Sequence, residues 1–170
     1  EPYLTALAID ALARAKLAGA APVGADAALD RAAYVMPQIF AAARTLDGEA
    51  YVIAHLAAMT RLENTKERFA GVRERLEEIA LTVRSSSDQL GNAGLALATR
   101  AHAELGMTAE AAVLLDKLLA RGVKIGGLHW EADRDTYDWW GDDISTSGLA
   151  LDALLAARPD DRRTAEIAQW

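Results

Sequence analysis

Similar hydrophobic runs recur along the chain and indicate how it is organised. Residues 7–12 read Leu-Ala-Ile-Asp-Ala-Leu, and residues 149–154 read Leu-Ala-Leu-Asp-Ala-Leu. A third copy begins at Leu95, and a looser copy begins at Tyr51. The starts are therefore separated by 44, 44 and 54 residues. A period in the forties is typical of stacked helical hairpins, in which each repeat contributes two helices.

The segments between these runs carry the pattern of amphipathic helices. Residues 64–83 show the clearest example, because apolar side chains recur there at intervals of three or four positions and so share one face. The predicted stripe consists of Phe69, Val72, Leu76 and Ile79. Asn64 followed by Glu67 has the spacing of a capping box, which predicts a helix start at Asn64.

Three further segments are expected to supply the other outer helices. Residues 26–44 open with Asp26, a predicted N-cap, and contain Pro37, which is expected to kink or split the helix. Residues 108–120 come after Gly106, and residues 160–170 come after Pro159. The glycine and the proline are each expected to end the preceding helix. The chain is thus predicted to be an all-α domain of about four helical hairpins.

The interval between the last two runs holds an irregular insertion at about 126–143. Strand-like residues at 128–130 and 136–140 predict a short β-hairpin there. The alanine-rich runs are expected to form the inner helices, because small side chains let neighbouring helices approach closely. The charged helices, such as 64–83, are expected to lie outside, facing solvent.

Composition limits the partners of the chain. Its 170 residues suffice for one domain with a core, and its formal net charge is −7 with a pI near 4.9. An acidic chain without a basic block is a poor candidate for binding nucleic acid or an anionic membrane. The sequence has no cysteine, which excludes a disulfide, a thiolate metal site or a cysteine nucleophile within these residues.

Carboxylates cluster in the insertion and its flanks. They could act as paired general acid and base in a glycosidase, or bind calcium or magnesium. Their spacing fits no calcium loop, however, and Asp143 or Ser145 could simply cap the next helix. We therefore interpret these carboxylates as structural, and we assign no catalytic, cofactor-binding or metal-binding residue. The cluster consists of Glu131, Asp133, Asp135, Asp138, Asp142 and Asp143.

Aromatic residues in the same insertion are the other candidates for a site. Trp130, Tyr137, Trp139 and Trp140 could stack on a ligand, but such residues more often fix an irregular hairpin to the helices beneath it. Among the three histidines only His129 lies in the insertion, and none has another histidine or a cysteine at metal spacing. The candidate residues for loop packing or interaction are His129, Trp130, Tyr137, Trp139, Trp140, Asp142 and Asp143.

The insertion and the helix after it resemble the thioester domain of bacterial alpha-2-macroglobulins. The likeness is carried by His129-Trp130-Glu131, by residues 137–141, by residues 145–155 and by Arg158-Pro159-Asp160. The opening residues 2–16 are similar to a helix start in the same domain. The resemblance implies a segment of an alpha/alpha toroid with a short β-hairpin, and it implies that residues 1–170 are an incomplete domain lacking its N-terminal part.

The resemblance also implies a function. Proteins of this family are endopeptidase inhibitors that act as protease traps in the periplasm or outside the cell. A protease cuts a bait region elsewhere, the molecule rearranges, and a thioester within a Cys-x-x-Gln motif acylates the attacker. This chain lacks that motif, so the expected role is a non-enzymatic scaffold without a cofactor. Its expected partners are target proteases, bound by the full-length protein, and other domains of the same protein.

Two other classes remain open on the sequence. An alpha/alpha-toroid enzyme, similar to a terpene cyclase or a glycosidase, would use the acidic insertion. A helical-repeat interaction module is favoured by the period alone.

Overall fold

The computed structural model describes residues 2–62, 70–132 and 142–170. Within these ranges the chain forms eight α-helices and one short antiparallel β-ribbon, which confirms the predicted all-α fold with a β-hairpin. Single 3-10 turns follow the third and fourth helices. The elements are α1 Pro2–Leu17, α2 Ala25–Ala42, α3 Leu46–Ala57, α4 Ala70–Ser85, α5 Asn92–Glu104, α6 Thr108–Ala120, β1 Val123–Lys124, β2 Leu128–His129, α7 Asp143–Ala157 and α8 Arg163–Ala168.

The helices form two layers. The four alanine-rich runs become α1, α3, α5 and α7, which pack side by side in chain order. Each outer helix packs on the inner helix that precedes it: α2 on α1, α4 on α3, α6 on α5, and α8 on α7. This pairing confirms the predicted organisation into helical hairpins.

The core lies between the layers and is densest at α3 and α5. Residues 50–60 and 94–102 are buried without interruption, because these two helices have an inner neighbour on both sides and outer helices behind them. Alanine is frequent in both stretches, which lets the helices pack closely. The expectation that the alanine-rich runs are the inner helices is confirmed.

The outer helix α4 is buried on one face only, unlike the inner helices α3 and α5. Leu76 and Ile79 are buried against the core, and Val72 is partly buried, which confirms that part of the predicted stripe. The charged side chains of Arg73 and Arg75 face solvent. The rest of that prediction, the cap at Asn64 with Glu67 and the stripe position Phe69, falls outside the described residues.

Two predictions about α2, the N-cap at Asp26 and the split at Pro37, are wrong. The residue at the N-cap is Gly24, with a left-handed φ of 88°, and Asp26 lies inside the first turn. Pro37 does not split the helix, which runs without interruption from Ala25 to Ala42. The buried face of α2, which includes Met36 and Ile39 on either side of the proline, packs on α1 and keeps the helix continuous. Tertiary packing thus outweighs the one missing N–H.

The β-hairpin forms earlier in the chain than predicted. Lys124 pairs with Leu128 and Val123 with His129, so the partner strand of β2 precedes it. The reversal is made by Gly126 and Gly127, whose φ angles of 74° and 145° are accessible mainly to glycine. The strand predicted at 136–140 falls outside the described residues. The last helix, predicted over 160–170, is limited to Arg163–Ala168.

Candidate functional site

Trp130 fastens the β-hairpin to the helices. It directly follows β2 and is only 1% exposed. Its indole Nε1–H donates a hydrogen bond to the carbonyl oxygen of Leu118 in α6, at 2.7 Å. Its backbone N–H donates to the hydroxyl oxygen of Ser147 in α7, at 3.0 Å. We call these three residues the tryptophan lock, because they join the hairpin, α6 and α7.

His129 also has a packing role. Its ring stacks on the indole of Trp170, with the centroids 4.5 Å apart and the planes 4° from parallel. The ring nitrogen Nδ1 is buried and has no hydrogen-bond partner within the described residues. The contact joins β2 to the end of the chain just beyond α8.

The two aspartates at the start of α7 accept local hydrogen bonds. Asp142 is the N-cap: its carboxylate accepts from the backbone N–H of Ser145 at 2.7 Å and from the Ser145 hydroxyl at 2.9 Å. These hydrogen bonds lower the pKa of Asp142, and the bond from the backbone N–H contributes most. The carboxylate of Asp143 accepts from the backbone N–H of Ala132 at 2.7 Å. The cap is therefore Asp142 and not Asp143 or Ser145, because the carboxylate of Asp142 is the one placed to accept from the Ser145 N–H.

The other candidate residues of the insertion either lie outside the described residues or are exposed. Tyr137, Trp139 and Trp140 fall outside the described residues, as do Asp133, Asp135 and Asp138. Glu131 is exposed, and its backbone carbonyl oxygen accepts from the side-chain amide of Asn92 at 3.0 Å. Within the ranges that the structure describes, no group of three or more His, Asp or Glu side chains could hold a metal ion.

A buried ionic cluster lies elsewhere, on the inner helices. Its centre is Asp10 of α1, which is 5% exposed. The Asp10 carboxylate accepts from Arg100 Nη2 of α5 at 2.6 Å, from Arg14 Nε at 2.8 Å and from His55 Nδ1 of α3 at 3.1 Å. Three elements distant in sequence therefore meet at one carboxylate.

The cluster extends to the fourth inner helix. Arg100 Nη1 lies 3.1 Å from Asp152 Oδ2 of α7. Both Arg100 and Arg14 also reach Oε1 of Glu104, at the end of α5. Each inner helix thus contributes at least one member. We call this group the inner cluster: Asp10, Arg14, His55, Arg100, Glu104 and Asp152.

The surroundings of the inner cluster shift the acid–base behaviour of its members. Burial alone would raise the pKa of Asp10, but the hydrogen bond from His55 and the charges of Arg100 and Arg14 outweigh it, and the pKa is lowered. Burial, reinforced by the negative charge of Asp10, raises the pKa of the nearby Tyr51 to about 12. Tyr51 packs on the His55 ring with the centroids 4.2 Å apart.

Two cavities open on the same inner helices. A polar cavity of about 540 Å³ borders the inner cluster, and an apolar cavity of about 330 Å³ lies beside His55. The polar one is lined by Arg14, Arg61, Ala103, Glu104, Asp152, Leu155 and Ala156. The apolar one is lined by Leu7, Tyr51, His55, Leu97, Ser145, Gly148 and Leu149.

Sequence reasoning missed the inner cluster, although a signal was present. Asp10 and Asp152 occupy the same position in the first and last copies of the repeat, each surrounded by apolar residues. A charged residue at a core position needs a partner, because an unpaired buried charge is costly. That partner is Arg100, which the third copy supplies and which contacts both aspartates.

Comparisons with known proteins identify no relative. The chain matches no protein-family model, no curated protein and no solved structure. No helix among the described residues is long and apolar enough to cross a membrane.

Proposed function

We propose that this chain is a scaffold segment of the thioester domain of a macroglobulin-type endopeptidase inhibitor. The observation that carries the proposal is the tryptophan lock, because Trp130 and Ser147 belong to the residues on which the resemblance rests. Both are used to fix the hairpin on the helices, as a scaffold requires. The two-layered row of hairpins also fits a segment of an alpha/alpha toroid.

In this proposal the helices provide rigidity and shelter, and the reactive Cys-x-x-Gln lies outside the chain, which contains no cysteine. A stiff layer of packed helices would keep water from a strained acyl bond until a protease cut triggers rearrangement. The full-length protein would be exported to the periplasm or the extracellular space. Its partners would be the trapped protease and its own neighbouring domains.

The two aspartates at the start of α7 give little support to an enzyme. Asp142 is committed to capping α7, and Asp143 accepts a backbone N–H. The second candidate function is a helical-repeat interaction module, which the row of hairpins favours equally. The two candidates differ in what happens to a protease.

The test uses the full-length protein that carries these residues. It is incubated with an endopeptidase, and the residual activity is measured on a large protein substrate and on a small chromogenic peptide. A trap encloses the protease without blocking its active site, so we expect the large substrate to be spared and the small one to be cleaved. Equal cleavage of both substrates would contradict the proposal and favour the repeat module.

A second measurement examines the thioester directly. The full-length protein is treated with methylamine, and intact mass and free thiol are followed. One adduct with one released thiol indicates a thioester sheltered by this scaffold. A trap that spares the large substrate without forming an adduct would retain the scaffold role and exclude the thioester chemistry.

A further inference from the structure

The polar cavity beside the inner cluster has the features of a binding site for a cation. It lies where α1, α5 and α7 meet the 3-10 turn after α3, and its volume of about 540 Å³ is in the range of small-ligand sites. Charged side chains and short apolar side chains share its wall. Neither the thioester scaffold nor the tryptophan lock accounts for it.

One acceptor in this wall is left unsatisfied. The Glu104 side chain is only 6% exposed, and its Oε1 is the atom that Arg14 and Arg100 reach. Its other oxygen, Oε2, is buried and has no hydrogen-bond partner within the described residues. A buried carboxylate oxygen without a donor is costly, so a ligand that donates a hydrogen bond there would gain free energy.

The position of Glu104 favours a positively charged donor. Glu104 and Asp152 are the carboxylates in the cavity wall, and Glu104 is the more buried of the two, with 6% of its side chain exposed against 46% for Asp152. Glu104 is also the last residue of α5, where the partial negative charge of the helix end favours a cation. Arg61 lies in the same wall but is exposed, so water and salt screen its charge.

The free acceptors fit an ammonium group better than a guanidinium group. A guanidinium fork needs both oxygens of one carboxylate, and one oxygen of Glu104 and one of Asp152 already contact Arg14 or Arg100. An ammonium group is a compact donor that can bind one oxygen of each carboxylate. Leu155, Ala103 and Ala156 supply apolar wall against which an alkyl stem can lie.

We propose that this cavity binds a primary alkylammonium group, supplied by a small amine or by a lysine side chain of another protein. The terminal bond of a glutamate side chain rotates in a broad energy well. In this proposal the Glu104 carboxylate turns about that bond when the ligand binds, which moves both oxygens and brings Oε2 to the cavity surface. The ammonium then replaces the donor that the oxygen lacks.

The binding test uses the chain itself, labelled with nitrogen-15, and n-butylammonium chloride as the probe. Since the chain has no cysteine, no thioester within it can consume the amine. We expect saturable shifts of the backbone amide signals around Glu104 and Asp152. The control is butyltrimethylammonium, which has the same charge and no N–H donor, and which we expect to bind at least about tenfold more weakly, as the loss of one charged hydrogen bond implies.

Two variants test the site in different ways. Glu104→Gln removes the charge, and we expect the association constant to fall at least about tenfold. Ala156→Phe fills the cavity from an exposed position, so the fold is kept while binding is lost. The matched control, Glu74→Gln, makes the same change as the first variant on the exposed face of α4 and should leave the association constant unchanged.

The source of the ammonium group is distinguished with a second probe, Nα-acetyl-lysine N-methylamide. Binding of both probes indicates a lysine of a partner protein, and binding of n-butylammonium alone indicates a free amine. Equal binding of butyltrimethylammonium would overturn the proposal, and so would unchanged binding by the folded Ala156→Phe variant. Neither result bears on the protease assay, so the two proposals can fail separately.

Discussion

The tryptophan lock and the inner cluster both hold together elements that are distant in sequence, but they do so with different chemistry. The lock buries one large ring and makes two hydrogen bonds between uncharged groups. The inner cluster joins three carboxylates and two guanidinium groups of α1, α5 and α7, with His55 added from α3. Asp10, Arg100 and Glu104 are buried, whereas Arg14 and Asp152 are 40% and 46% exposed. One region relies on packed volume, and the other relies on ion pairs.

This difference predicts how each region fails. Removing a buried aromatic ring costs the transfer free energy of the ring and leaves a cavity. Removing one member of a buried charge cluster leaves its partner charged and desolvated, although replacing the whole cluster by apolar groups can be neutral. The lock should therefore respond to side-chain size at any pH, whereas the cluster should respond to charge and to acid.

The largest effect is expected from Trp130→Ala. The free energy of unfolding should fall by about 4 kcal/mol, because the side chain is 1% exposed and the site cannot close fully around the void. Urea denaturation followed by circular dichroism measures it. Trp170→Ala is the matched control, and its loss should be much smaller because that side chain is 42% exposed. Equal losses for the two tryptophans would show that the lock does not hold the fold together.

Arg100→Met should have the next largest effect. The substitution keeps most of the side-chain volume but leaves Asp10 and Glu104 short of a partner, and we expect a loss of about 3 kcal/mol in the free energy of unfolding. Arg14→Met is the control, because Arg14 is 40% exposed and water can reach the site it leaves. A loss for Arg100→Met no larger than that for Arg14→Met would contradict the central place given to Arg100.

Coupling within the cluster can be measured separately. The double variant Asp10→Asn, Arg100→Met removes both the charge of the carboxylate and its main partner. Its loss should be smaller than the two single losses added together, since neither group then leaves the other unpaired. Strictly additive losses would mean that the pair does not interact.

The sequence predicted the parts of the fold that follow from periodicity. The repeat fixed the number and pairing of the hairpins, because an apolar run must be buried against a neighbour whatever that neighbour is. The stripe of α4 was found for the same reason, in Val72, Leu76 and Ile79. The short hairpin was placed too late because the pair Gly126-Gly127 was not used as a turn signal.

The inner cluster was less accessible to sequence reasoning. Asp10 and Arg100 are 90 residues apart, and their contact depends on the register of α1 and α5, which no local pattern encodes. The cap at Asp142 was assigned to Asp143 or Ser145 because Asp142, Asp143 and Ser145 are all suitable capping residues. The N-cap is distinguished from the other two residues by the extended backbone of Asp142, which is a property of the folded chain.

Acid should weaken the inner cluster more than the lock. The folded-state pKa of Asp10 lies below its value in the unfolded chain, so its contribution is complete above the unfolded pKa of about 3.9 and is lost as the pH falls through the folded pKa. The free energy of unfolding should therefore decline below about pH 4. The decline attributable to Asp10 should be smaller than the effect of Arg100→Met, because Arg100 can still pair with Glu104 and Asp152.

Asp10→Asn isolates this contribution. The acid slope should become shallower in the variant, but it should not vanish, because Arg163 holds the pKa of Asp161 at about 2 in both proteins. Trp130→Phe serves as the comparison from the lock, and its acid slope should match that of the unmodified chain. A slope unchanged by Asp10→Asn would show that Asp10 does not titrate with folding.

The smallest effect is expected at the edge of the hairpin, where His129 stacks on Trp170. Their rings are nearly parallel, but Trp170 is 42% exposed, so the coupling energy should be only about 0.5 kcal/mol. A double-mutant cycle with His129→Ala and Trp170→Ala measures it by urea denaturation. A coupling energy as large as the loss from Trp130→Ala would mean that the contact of His129 with Trp170 stabilises the hairpin as much as the buried Trp130 ring does. The distinction between the lock and its surroundings would then no longer hold.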